Sequence, residues 1–168
     1  MPTSDPNAIS LIMAKIMQNQ PKSVLDVGIG FGKFGMLCRE YLDIWGKLNY
    51  KPSDWKTKIV GIEPFKEYRN PIHDYVYDYI WYDDVMNLLD VVGDYDLVLL
   101  IDVIEHLTKS DGKRLLGKIK KSFICSTPNG NYRQGEVLGN PYEKHISDWS
   151  NFKFNNKIIV GTQLIAWD

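Results

Sequence analysis

The sequence predicts an α/β domain built on a doubly wound, mostly parallel sheet with helices on both faces. Three observations predict it. Strand-like and helix-like segments alternate through five units, the pattern of a parallel sheet covered on both sides. Asp96 to Ile101, DLVLLI, is a near-continuous apolar run, as expected of a central parallel strand buried on both faces. The stretch Asp26 to Gly32, DVGIGFG, stands between the first strand and a helix, at the kind of strand end where open α/β sheets bind their ligands.

The elements follow in order. Asp5-Pro6 reads as an N-cap followed by proline at the first helical position. Behind it Ile9, Ile12, Met13, Ile16 and Met17 recur at helical spacing, and Pro21 ends the helix. Ser23 to Val27 is the first strand, and Lys33 to about Ile44 the second helix. Asn49 to Lys58, with Pro52 and several charges, reads as a connection of unusual length. Lys58 to Glu63 is the second strand, stopped by Pro64. Phe65 to Asp78 is aromatic-rich and carries no clear period. Tyr79 to Tyr82 reads as a third strand and Asp84 to Leu89 as the opening of a short helix. After DLVLLI, Ser110 caps a helix to about Lys121, and Phe123 to Ser126 is the fifth strand. Lys157 to Val160 and Gln163 to Trp167 flank Gly161-Thr162, a Gly-X pair that suggests a type II′ hairpin and two antiparallel strands.

Composition narrows the function classes. The 168 residues fit one domain spanning 1–168, with neither repeats nor a linker to divide it. Twenty basic against 21 acidic side chains leave a net charge of −1, so a broad phosphate-binding surface is not expected. Cys38 and Cys125 lie in apolar stretches and read as buried thiols, too few for a disulfide framework or a zinc site. The apolar runs fall short of the ~18–20 residues that span a bilayer. Met1 to Ala8 lacks the basic and apolar blocks of a secretory signal, so a cytoplasmic location is expected.

The glycine loop is the first functional signal. A single glycine would serve a plain strand-to-helix turn; Gly28, Gly30 and Gly32 at alternate positions favour a nucleotide-type ligand lying against bare backbone. Gly30 to Gly35 also matches the dinucleotide string GxGxxG, a weak signal alone. Charge argues against a dinucleotide, because a pyrophosphate prefers helix N–H groups without a nearby anion, and Asp26 sits beside the loop. S-adenosylmethionine has no phosphate and carries an ammonium and a sulfonium, so an acidic floor suits it. Glu63, ending the second strand, is placed to accept from both ribose hydroxyls. Asp84 is the candidate for the adenine amino group, with the backbone near Val85 for a ring nitrogen and Asp83 as a weaker neighbour. Asp102, after the central strand, would lie near the methionine portion.

With these residues the chain resembles the class I S-adenosylmethionine-dependent methyltransferases, in the branch with a DVIEHL-type segment after strand four. LDVGIGFG at 25–32, IVGIEPF at 59–65, YDLVLLIDVIEHL at 95–107 and STPNG at 126–130 match in order, and NPYEKHISDWS at 140–150 is similar to the segment after strand five. The resemblance covers the chain from about Ile9 to Ile165. It implies a seven-stranded sheet in the order 3-2-1-4-5-7-6 with strand seven antiparallel, and S-adenosylmethionine as cofactor. Two features depart from the family's pattern: the long connection from Asp43 to Lys58, and Asp83 in place of the more common glycine before Asp84.

On the acceptor side, His106 is the candidate general base or orienting group, with Glu105 beside it. Asn129, Tyr132, Tyr142, His145 and Trp149 are expected to cover the pocket and bind a polar acceptor. The spacings of His73, His106 and His145 match no zinc pattern, so no metal is expected. Asn140-Pro141-Tyr142 is set aside as an NPPY-type box, since it follows strand five and lacks a proline. The aromatics from Tyr68 to Tyr82 read as core and edge packing rather than base stacking. The reading is a methyltransferase for a small or medium polar acceptor, with O-methylation slightly favoured. A protein or RNA methyltransferase, a silent S-adenosylmethionine-binding module and a small NAD-binding domain are the alternatives. Neither nucleic acid nor membrane is expected as a partner, and a homodimer is left open.

Overall fold

The computed structural model describes residues 4–47 and 50–168. Asn49 of the long connection, and the first three positions of the N-terminal stretch, therefore lie outside the described residues. Seven strands form one sheet: β1 (Ser23–Val27), β2 (Lys58–Ile62), β3 (Tyr79–Trp81), β4 (Leu97–Ile101), β5 (Ser122–Pro128), β6 (Asn156–Val160) and β7 (Gln163–Trp167). Their order is β3-β2-β1-β4-β5-β7-β6. The first five are mutually parallel, and β7 runs antiparallel to both β5 and β6. Gly161 has φ +59° while Thr162 is absent from the positive-φ residues, which fits a II′ rather than a I′ turn.

Burial on both faces explains the apolar strands. In β4, Leu97, Leu99 and Ile101 point to one core, and Val98 and Leu100 to the other. The first face is covered by α1 (Ile9–Asn19), α2 (Lys33–Arg39) and α3 (Pro71–Val76), through Ile12, Ile16, Phe34, Cys38 and Val76. The second is covered by α4 (Lys109–Leu116), by 3-10 turns at Val85–Asn87 and Val92–Asp94, and by Trp149, Phe152 and Phe154. Both cysteines are free and buried. Among the described residues no helix is long and apolar enough to cross a membrane.

Local chemistry moves several expected boundaries. Asp5 does cap, accepting from Asn7 N–H at 2.8 Å, but it opens a 3-10 turn at Pro6–Ala8 before α1 starts. Gln20, left-handed at φ 45°, ends α1 before Pro21 is reached. The second helix is α-helical only to Arg39 and continues as a π turn over Glu40–Ile44. Between Asp84 and Leu89 only Val85–Asn87 is helical, as a 3-10 turn. Thr108, not Ser110, caps α4, its hydroxyl accepting from Asp111 N–H at 3.1 Å, and that helix stops at Leu116 rather than Lys121. The patternless aromatic stretch contains α3, started by the Asn70 side chain accepting from Ile72 N–H and by Pro71.

The long connection is tied down by one buried ion pair. Arg39 Nη1 reaches Asp43 Oδ2 at 2.7 Å and donates to Thr57 O, while Asp43 Oδ1 accepts from the N–H groups of Lys56 and Thr57. Arg39 also donates to Val76 O and stacks on Trp55 at 4.4 Å. These hydrogen bonds offset part of the pair's desolvation, and losing either partner would leave a buried charge unpaired. Because the connection feeds the amino end of β2, it lies on the sheet edge opposite the strand ends that carry the acids.

Candidate active site

Asp26 near the end of β1, Glu63 and Asp102 directly after β2 and β4, and Asp84 shortly after β3 are gathered by the fold at one edge. Chain order reverses between β1 and β4, opening the crevice where such sheets bind ligands. A cleft with about 990 Å³ of unfilled space, continuous with solvent, lies there. Its wall includes Asp26, Gly28, Gly30, Glu63, Asp84, Val85 and Asp102. Counting Glu143, five carboxyl side chains line it against one lysine, Lys33, whose Nζ donates to Ser4 O at 2.8 Å. A diphosphate would meet repulsion here; a cation would not.

Each acid is held differently. Asp26 faces the core under α2 and α3, 3% exposed, and accepts from the Tyr77 hydroxyl at 2.7 Å. Gly35 makes this contact possible, since a Cβ there would stand 2.3 Å from the Tyr77 ring. Burial outweighs the hydrogen bond and lifts the Asp26 carboxyl from 3.8 to about 7. Glu63 binds the glycine loop to its own strand: Oε2 accepts from Gly30 N–H and Oε1 from Phe65 N–H, both at 2.9 Å. Burial lifts it to about 7, against the pull of those two bonds. Each oxygen keeps a lone pair for a hydroxyl donor. Asp84 accepts from Met86 N–H at 2.8 Å, so it caps the 3-10 turn and faces the cleft at once. Asp83 is exposed and turns instead to Asn87 Nδ2. Asp102 has φ +54°, a strained value for a residue with a side chain. Ser126 holds it there, its hydroxyl donating to Asp102 Oδ1 at 2.7 Å and its carbonyl accepting from Asp102 N–H.

Solved structures with this architecture share its fold at low identity. The 16S rRNA methylase RmtB is 18% identical over 95% of this chain and 60% of its own, with TM-score 0.58. An O-methyltransferase family protein from Burkholderia thailandensis is 8% identical over 94% of this chain and 55% of its own, at 0.60. An SAM-dependent methyltransferase from Archaeoglobus fulgidus is 16% identical over 95% and 94%, at 0.55. The chain thus spans little more than half the length of the first two. No family model matches the sequence, and no curated protein does. The chain has the class I S-adenosylmethionine-dependent methyltransferase fold. The strand order and antiparallel β7 implied by the resemblance are those observed.

Within this methyltransferase fold, Gly32 requires correction as a cofactor contact. It stands at the N-cap of α2 with φ +87°, outside the cleft wall, and packs against Ile72 and His73 of α3. His73 is likewise a structural residue: its Nε2 lies 2.9 Å from Gly30 O and its Nδ1 3.2 Å from the Tyr82 hydroxyl.

The acceptor-side residues divide. His106 and Tyr142 line the cleft. His145 stands behind His106 with ring centroids 4.9 Å apart, and Tyr132 flanks His145 at 5.8 Å. Glu105 is 2% exposed and lies beneath His106, off the cleft wall. Asn129 is exposed at the end of β5 and lies outside the wall; its N–H is bound to Thr162 O. Trp149 is the clear correction. It is 0% exposed, its Nε1 donates to Ile104 O at 2.9 Å, and its ring packs in the second core beside Leu115 and Phe152. Gly112 of α4 makes room for the ring, since a Cβ there would stand 2.3 Å from Trp149 Cζ2, and the buried indole keeps a partner for its N–H.

Sequence reasoning missed Tyr68, Asn140 and Glu143, all of which line the cleft. The Tyr68 hydroxyl donates to Glu143 Oε1 at 3.1 Å, fastening the segment after β5 to the one after β2. The 75-residue separation hides this contact from any local pattern. Tyr77 was missed for the same reason; only its place in an unassigned aromatic stretch marked it.

Proposed function

We propose that this chain transfers a methyl group from S-adenosylmethionine to a polar acceptor, with oxygen the favoured nucleophile. One observation carries the reading: carboxyl groups from the ends of β1, β2, β3 and β4 converge on a single cleft with one lysine among its lining residues. The residues present fit the cofactor. Glu63 offers lone pairs to the ribose hydroxyls, and Asp84 with the Val85 backbone offers acceptor and donor to adenine. Asp26 and Asp102 remain for the cationic methionine end, and Gly28 and Gly30, lining the cleft without a Cβ, let it lie close to the loop. When bound, the cofactor supplies a methyl group already activated by its sulfonium.

The chain's own contribution is alignment and exclusion of water. Tyr68, Asn140, Tyr142 and Glu143 wall the side away from the sheet. His106 faces the cleft as a neutral imidazole, because burial lowers its pKa below the ordinary 6.5. Its Nδ1 lies 3.2 Å from Lys144 O, an acceptor only, so Nδ1 carries the proton and Nε2 presents a lone pair.

Calorimetry with S-adenosylhomocysteine and with NAD tests the donor side. S-adenosylhomocysteine is expected to bind and NAD not to; the reverse result overturns the reading. Transfer of labelled methyl to a hydroxyl-bearing metabolite pool tests turnover, which His106→Ala is expected to lower by about 10²–10⁴-fold while cofactor affinity holds. An equal loss in both would remove His106 from the acceptor side.

A further inference from the structure

Three potential metal ligands meet beside the cleft. Glu105, His106 and His145 each bring a donor atom to within 4.8 Å of the others. His106 and Glu105 follow β4, while His145 comes from the segment after β5, so the 39-residue gap between the histidines has no bearing on their meeting. His73, in contrast, is committed to Gly30 and Tyr82.

The chemistry of each donor points the same way. Both oxygens of Glu105 are buried and lack a hydrogen-bond partner among the described residues. The Thr127 hydroxyl lies near but outside bonding geometry, and it too is without a partner. An orphaned buried carboxyl is destabilising, so a protein keeps one where something answers it. The histidines are set alike: His106 Nδ1 faces Lys144 O at 3.2 Å and His145 Nδ1 faces Tyr132 O at 2.9 Å. A backbone carbonyl only accepts, so both rings carry their proton on Nδ1 and present bare Nε2 atoms. That arrangement, with the outer N–H fixed by a carbonyl, is how metal-binding imidazoles are oriented.

We propose that Glu105, His106 and His145 bind one divalent first-row transition ion beside the cleft. Two imidazoles favour Mn²⁺ through Zn²⁺ over Mg²⁺ or Ca²⁺, which prefer all-oxygen shells. Bonds of about 2.0–2.2 Å place donor atoms roughly 3–3.5 Å apart, so the three close in by about 1.8 Å at most. His145, on a partly exposed loop, supplies that movement. Three protein ligands leave a coordination position open, and His106 borders the cleft. A hydroxyl taking that position would have its pKa lowered and would pass its proton to solvent, with which the cleft is continuous, leaving its oxygen to take the methyl from the sulfonium. His106 then acts on the acceptor through the ion, a role that rests on the methyltransferase reading; ion binding itself does not.

The test uses the full chain stripped with a chelator. Co²⁺ is titrated in and followed by its visible absorption, Zn²⁺ competes it out, and bound metal is counted by mass spectrometry after dialysis. One equivalent is expected, with Glu105→Gln and His145→Ala each weakening it by at least about tenfold. Metal that fails to bind the unaltered chain, or binds the double variant equally well, overturns the site. Should Glu105→Gln not fold, His145→Ala decides alone. S-adenosylhomocysteine calorimetry on the metal-free chain keeps the two readings apart: loss of that binding sinks the methyltransferase function, and loss of Co²⁺ binding sinks only the ion site.

Discussion

Cofactor affinity should climb with pH through neutrality, and Asp26 should be one of its sources. The folded chain without ligand holds the Asp26 carboxyl at about 7 against an ordinary 3.8, which favours the protonated form by about 4 kcal/mol. A cationic ligand needs the ionised form, so binding releases a proton. For a group with pKa near 7, the ionised fraction rises from about 0.09 at pH 6 to about 0.91 at pH 8, a tenfold gain in affinity. Glu63, also raised to about 7 by burial, titrates beside it and can extend the gain towards about a hundredfold. The same shift has a cost with a definite sign. Between about pH 4 and 7 the folded state retains a proton that the unfolded state has lost, so the ligand-free fold loses stability as pH rises and levels off above 7. The perturbation is Asp26→Asn, neutral at every pH and still able to accept from Tyr77. Calorimetry with S-adenosylhomocysteine from pH 5.5 to 8.5 should show its pH slope reduced by about one proton, with thermal stability at pH 8 higher than in the parent. A parent affinity flat across this range, or an Asn variant with the parent's slope, would refute the argument.

Two further outcomes follow from packing. Gly28 has φ +68°, and a Cβ there would sit 2.7 Å from Val103 Cγ2, so Gly28→Ala should cost about 1–2 kcal/mol from backbone alone and weaken S-adenosylhomocysteine binding. Adding Val103→Ala should recover part of that loss in the same calorimetry; no recovery would mean the clash is not the cause. Trp149→Ala should lower stability by about 3–5 kcal/mol and cut the melting temperature by roughly 6–20 °C in calorimetric scans. If Trp149 instead lay on the acceptor surface, turnover would fall with little change in melting.

The sheet was legible because its signals are local. DLVLLI shows a strand buried on both faces, Gly161-Thr162 shows a hairpin, and DVGIGFG shows a turn that admits a ligand to the backbone. The acids at 26, 63, 84 and 102 could be read from their places at strand ends, since a parallel sheet with right-handed crossovers must deliver those ends to one edge. Residues beyond β5 were less readable. Asn129, Tyr132, Tyr142, His145 and Trp149 form one polar and aromatic run, yet Trp149 enters the core, Asn129 stays in solvent and Tyr142 reaches the cleft. A loop has no period to say which way each side chain points.

What the sequence alone determined is the seven strands in chain order, the helices before β1 and after β1 and β4, and the acids near the strand ends, because periodicity and turn chemistry act over a few residues. What only the tertiary structure decided is which distant groups meet: Tyr77 with Asp26, Tyr68 with Glu143, and His145 with Glu105 and His106. Those pairings depend on where helices and loops settle against the sheet, which is set by the burial of the whole core and by no single segment.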